Sequence, residues 1–118
     1  MSFIIGLIGE RITEINSKVS AIHPLITGSS LIEHSTSVCF NNYRLDIYNP
    51  VKLLGLDNKL SIHNLTNLSV VSCIESADEI IIELENQIKL IVDMRDESFI
   101  GPEALCLHGP NNLMVVWN

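Results

Sequence analysis

Cationic side chains are scarce in this sequence: seven Lys and Arg stand against fourteen Asp and Glu, a formal net charge of −7. Nucleic-acid binding needs clustered Lys and Arg to displace counterions from phosphates, so this balance argues against a nucleic-acid partner. Aromatics are few: one Trp, two Tyr and three Phe are thin provision for the sugar platforms of a glycosidase cleft. Cysteine occurs only at Cys39, Cys73 and Cys106, with no CxxC spacing. Scattered thiols in odd number make neither a disulfide framework nor a zinc site; they read as small hydrophobes of a reduced cytosolic protein. No apolar run reaches the roughly 18 residues of a membrane-spanning helix. The apolar stretch at residues 3–8 lacks a basic leader and meets Glu10 and Arg11 almost at once, so it is not expected to be a signal peptide.

Motifs that carry chemistry are equally sparse. His23, His34, His63 and His108 show no HxxxH or HxH spacing, so neither a metal nor a cofactor is expected. No GxSxG, Walker loop or Rossmann glycine pattern occurs, and no catalytic constellation is visible. The expectation is a protein that is not an enzyme.

What is present is apolar and alternating. With 118 residues, 47% of them hydrophobic, the chain is expected to form one domain over residues 1–118. In the segment from Glu79 to Leu84, Ile80, Ile82 and Leu84 share one face, while Glu79, Ile81 and Glu83 share the other. Glu85-Asn86-Gln87 supplies a turn, after which Ile88, Leu90 and Val92 alternate with Lys89, Ile91 and Asp93. Period-two alternation dominated by β-branched residues predicts a hairpin with one apolar and one mixed face. A second hairpin is predicted from Ser37 to Tyr48 about Asn41-Asn42, with the positive φ of a two-residue turn at the asparagines and Asn49-Pro50 as its end. A third runs from Ala104 to Trp117 about residues 109–112, and a strand at residues 68–75 precedes the Glu79 hairpin.

Residues 11–15 favour a strand over a short helix, 31–34 and 60–63 read as short strands, and 53–58 as a turn-rich connection. The predicted fold is therefore mainly β, an antiparallel sandwich or partly open barrel built from hairpins, with room for one short helix near the N-terminus. Trp117 is expected in the core, with an interface anchor as the alternative.

The negative charge is lopsided. Residues 1–59 balance five acidic against five basic side chains, whereas residues 60–118 hold nine acidic ones against Lys89 and Arg95. A field of this sign speeds encounter with a basic protein. The candidate partner-binding residues are Glu75, Asp78, Glu79, Glu83, Glu85, Asp93, Asp96 and Glu97.

Four segments together carry a resemblance: Arg44-Leu45-Asp46-Ile47-Tyr48-Asn49-Pro50, the hairpin from Glu79 to Asp93, Gly101-Pro102-Glu103-Ala104 and the terminal Val115-Val116-Trp117-Asn118. Over residues 38–118 the chain resembles small bacterial immunity proteins of contact-dependent growth inhibition and related polymorphic toxin systems. The resemblance implies a cytoplasmic inhibitor that binds one cognate toxin domain and covers its active site. Toxin-contacting residues vary within such families, so none is carried over by position. A nuclease toxin, an RNase more readily than a DNase, fits the charge, because an acidic inhibitor can occupy a groove made for phosphates. Two other classes stay open: a small-ligand-binding or enzymatic β-barrel, which requires an internal polar cavity, and an adaptor or oligomerisation module that pairs through a sheet edge.

Overall fold

The computed structural model describes residues 3–19, 31–55, 65–98 and 101–118. Of these residues 54% lie in strands, arranged as two antiparallel sheets in a sandwich-like, unclosed fold. The strands are β1 (Ile12–Val19), β2 (Leu31–Phe40), β3 (Arg44–Ile47), β4 (Val51–Leu54), β5 (Val70–Glu75), β6 (Glu79–Leu84), β7 (Lys89–Asp93), β8 (Leu105–His108) and β9 (Met114–Trp117). No helix of seven or more residues occurs among the described residues; the N-terminal helix is a five-residue 3-10 turn at Phe3–Leu7. Nor is any described helix long and apolar enough to cross a membrane.

Strand β2 organises the fold. It pairs with β1 along one edge, and β3 and β4 lie end to end along the other. From β3 the pairing runs on to β8 and β9; from β4 it runs through β7 and β6 to β5. The chain thus forks between β3 and β4, at Tyr48-Asn49-Pro50. Asn49, fully buried, holds the two arms together. Its backbone N–H donates to Ala104 O beside β8 (3.1 Å), and its Nδ2 donates to Asp93 O at the end of β7 (2.8 Å). Pro50 cannot donate, but its carbonyl accepts the Asp93 N–H (3.1 Å), which seats the start of β4 beside the end of β7.

Alternation sets the core. Ile80, Ile82 and Leu84 of β6 and Leu90 and Val92 of β7 are buried, joined from the other arm by Leu45, Ile47, Leu105 and Leu107. Thr36 and Asn49 are the buried polar residues among those described, so the interior is filled by apolar side chains. The edge strands β5 and β9 meet where Trp117 Nε1 donates to Glu75 Oε2 (3.2 Å); Trp117 is half-buried and packs against the core. The start of β5 is tacked to Arg11 through Ser69, short of barrel closure.

Four local expectations change. Residues 31–34 and 37–40 belong to one ten-residue strand, because β1 pairs along most of its length. The hairpin closes at Asn49-Pro50 as expected, but the chain re-enters the sheet at once as β4, so the connection expected from residue 53 begins inside a strand. Positive φ falls at Asn86–Gln87 and Asn111–Asn112 rather than at Asn41–Asn42. At Asn42 the Glu10 carboxylate takes the backbone N–H (2.8 Å) and the side-chain Nδ2 (3.2 Å), which stabilises the turn from outside. The strand expected at residues 60–63 and the loops about His23-Pro24 and residues 28–30 lie outside the described residues.

Candidate functional site

The eight acidic candidates all fall on the β5–β6–β7 arm, but they divide by task. Glu83 accepts the Ser72 hydroxyl (3.0 Å) and faces Lys89 across the ladder, and Glu85 accepts the Ser69 backbone N–H (2.8 Å). Both are engaged in joining strands at one end of the arm. At the other end, where β5 turns into β6 and β7 runs out, stand Glu75, Asp78, Glu79, Asp93, Asp96 and Glu97. Glu79 and Asp93 are direct cross-strand partners. Like charges so placed repel, a local cost that a sheet ordinarily avoids.

Arg95 offsets part of that repulsion. Its guanidinium contacts Asp93 (2.7 Å) and Glu97 (3.3 Å). The hydrogen bonds to Asp93 and the nearby negative charges of Asp93 and Glu97 raise its pKa further, so it stays protonated. A surface groove of about 440 Å³ opens here, lined by Lys52, Asp78, Glu79, Ile91, Asp93 and Arg95 among others. Lys52 and Arg95 carry no motif that assigns them to the groove; register alone puts Lys52 beside Ile91, on the face that carries Glu79 and Asp93. Glu79→Thr is expected to stabilise the fold by about 0.2–1 kcal/mol, by removing one of two opposed carboxylates. A urea midpoint unchanged from the parent would mean that Arg95 already relieves the pair.

A second polar cluster occupies the outer face of β2, β3 and β8, and no sequence spacing announces it. Asp46 accepts from Ser37 Oγ (2.9 Å) and Arg44 Nε (3.3 Å), and Arg44 Nη2 and His108 Nε2 each lie 3.2 Å from its Oδ2. The Cys106 thiol is 3.5 Å from the same Nε2. A thiol–imidazole–carboxylate relay uses both ring nitrogens, one toward each partner. Here one nitrogen faces both, and burial with the Asp46 and Glu103 charges raises the Cys106 pKa, against forming a thiolate. The arrangement ties three strands together and does not activate sulfur. No group of three or more metal-ligating side chains converges among the described residues.

The remaining thiols are also subdued. Burial pushes Cys73 up to about 11, and burial followed by the Glu14 charge raises Cys39. Iodoacetamide at pH 8 is expected to label the native chain slowly and the urea-unfolded chain quickly. The sign for stability follows: a raised folded-state pKa leaves stability intact below the unfolded thiol's value and removes it as pH rises through about 11 at Cys73. Equal native and unfolded labelling rates would place these thiols in water.

Comparison with known proteins adds no relative: no family model matches the chain, and neither a curated protein nor a solved structure does.

Proposed function

We propose that this protein is a cytoplasmic immunity protein that binds one cognate toxin domain and covers its active site with the acidic end of the β5–β6–β7 arm. The toxin is a nuclease, an RNase in the favoured case. The observation that carries the reading is the direct opposition of Glu79 and Asp93 beside Asp78, with Asp96 and Glu97 close in sequence. A fold that sets carboxylates against each other loses stability, and a cationic partner repays it on binding. The basic groove of a nuclease is such a partner.

The test is co-expression with the toxic domain encoded by the adjacent reading frame. Growth should be rescued, the two chains should co-purify one to one, and RNA should remain intact. No toxic neighbour, or toxicity undiminished by this chain, ends the proposal. The competing reading is self-association through β9, whose edge carries Met114 at 62% and Val116 at 37% exposure. Light scattering that finds a monomer removes it.

A further inference from the structure

The outer face of β5, β6, β7 and β4 is not uniformly acidic. Register sets Ile74, Ile81 and Ile91 side by side across three strands, with Lys52 next in the row. Neighbouring strands lie about 4.8 Å apart, so the three isoleucines make an aliphatic ridge roughly 10 Å long. Ile74 is 57% exposed, and Ile81 and Ile91 are half-buried. Val71, which the bulge leaves out of the β5–β6 register, is 50% exposed. Flanking the ridge are Ser72, Glu83 and Lys89 on one side and Glu79 and Asp93 on the other. An apolar centre with a charged rim is the anatomy of a protein interface.

We propose that this face docks a basic protein whose Arg or Lys side chains lay their methylene stems along Ile74, Ile81 and Ile91. Their charged ends enter the groove at Asp78 and Glu79, beside the Arg95–Asp93 pair. The inference rests on the toxin-inhibitor reading and adds where and how the partner sits. Charge complementarity selects the occupant. A second copy of the chain would bring the same carboxylates into opposition, and nucleic acid or an anionic lipid surface would be repelled. Arg95 already performs the contact from within, its guanidinium clasped by Asp93 at 2.7 Å. In the complex the rim charges set the speed of encounter, and the desolvated ridge sets its lifetime.

The probe is an extended peptide of alternating arginine and valine, titrated into the isotope-labelled full chain at low salt. A matched aspartate–valine peptide is the control. The cationic peptide should shift the amide signals of residues 79–83 and 89–93, and the anionic one should shift none. Ile74→Thr, at an exposed site where folding is insensitive, and Ile81→Thr should each weaken binding about tenfold, with thermal unfolding close to the parent's for Ile74→Thr. Shifts elsewhere, equal response to both peptides, or unchanged affinity for Ile74→Thr would overturn the proposal. If the peptide binds as described but the chain fails to rescue cells from the neighbouring toxin, the docking face stands and the immunity reading falls. Rescue with a silent ridge overturns the docking face and leaves the immunity reading in place.

Discussion

Asn49→Asp is expected to cost about 3–5 kcal/mol at neutral pH, because it buries a carboxylate with no cation to pair it. The wild-type side chain is fully buried; its Nδ2 donates to Asp93 O at 2.8 Å, and its Oδ1 has no hydrogen-bonding partner among the described residues. In the variant an oxygen replaces the donor, so two acceptors face each other at the fork between the arms. Asn49→Leu removes the same hydrogen bond without adding charge and should cost about 1–3 kcal/mol. Acidity separates the two. Burial raises the pKa of the new carboxyl in the folded state, so the variant is least penalised below the unfolded carboxyl's pKa and loses stability as pH rises through the folded value. Urea unfolding at pH 4.5 and pH 7.5 should therefore show a smaller deficit in acid for Asn49→Asp and the same deficit at both for Asn49→Leu. A pH-independent deficit for the aspartate would mean that water reaches the fork.

Reversing Asp78, Glu79 and Asp96 together to lysine should slow association with the adjacent toxin domain by about 10- to 1,000-fold at low salt. All three lie at the acidic end of the arm, two of them exposed and Glu79 half-buried, and the Arg95 guanidinium is held by Asp93 and Glu97 instead. Steering acts over the screening length, about 10 Å at 0.1 M salt, so the difference between variant and parent should shrink steeply as salt rises. Dissociation should change less than association, since the desolvated ridge is untouched. Glu103→Lys, on the connection before β8, is the control and should leave association near the parent rate. Stopped-flow mixing over a salt series measures both rates. Identical association of parent and triple variant at low salt would place the interface on another surface.

The strands of the second half were legible because their alternation is strict. In β6 and β7 every second residue is apolar, a one-residue slip would expose the whole set, and burial follows the pattern without exception. The ten-residue β2 was harder to read because its continuity comes from pairing with β1, a contact between distant segments. Strand β4 was hidden behind Pro50, since a proline ordinarily ends a ladder, and its pairing with β7 and with the far end of β2 joins segments distant in sequence. The turn at Asn41-Asn42 depends on Glu10, some thirty residues earlier, a dependence that local turn rules do not contain.

The site divides in the same way. Its negative sign, its position in the second half and the mixed face of the Glu79 hairpin are written in composition and period. Which carboxylates stand together is not. Glu83 has Ser72 and Lys89 across the ladder and Glu85, in the turn after β6, takes the Ser69 N–H, whereas Glu79 and Asp93 face each other. Cross-strand neighbours come from register, and register joins residues far apart in sequence. The alternating residues thus determined which faces are apolar and where the charge resides. Only tertiary pairing decided that Ile74, Ile81 and Ile91 would adjoin, that Lys52 would meet them, and that one buried asparagine would hold the two arms at their fork.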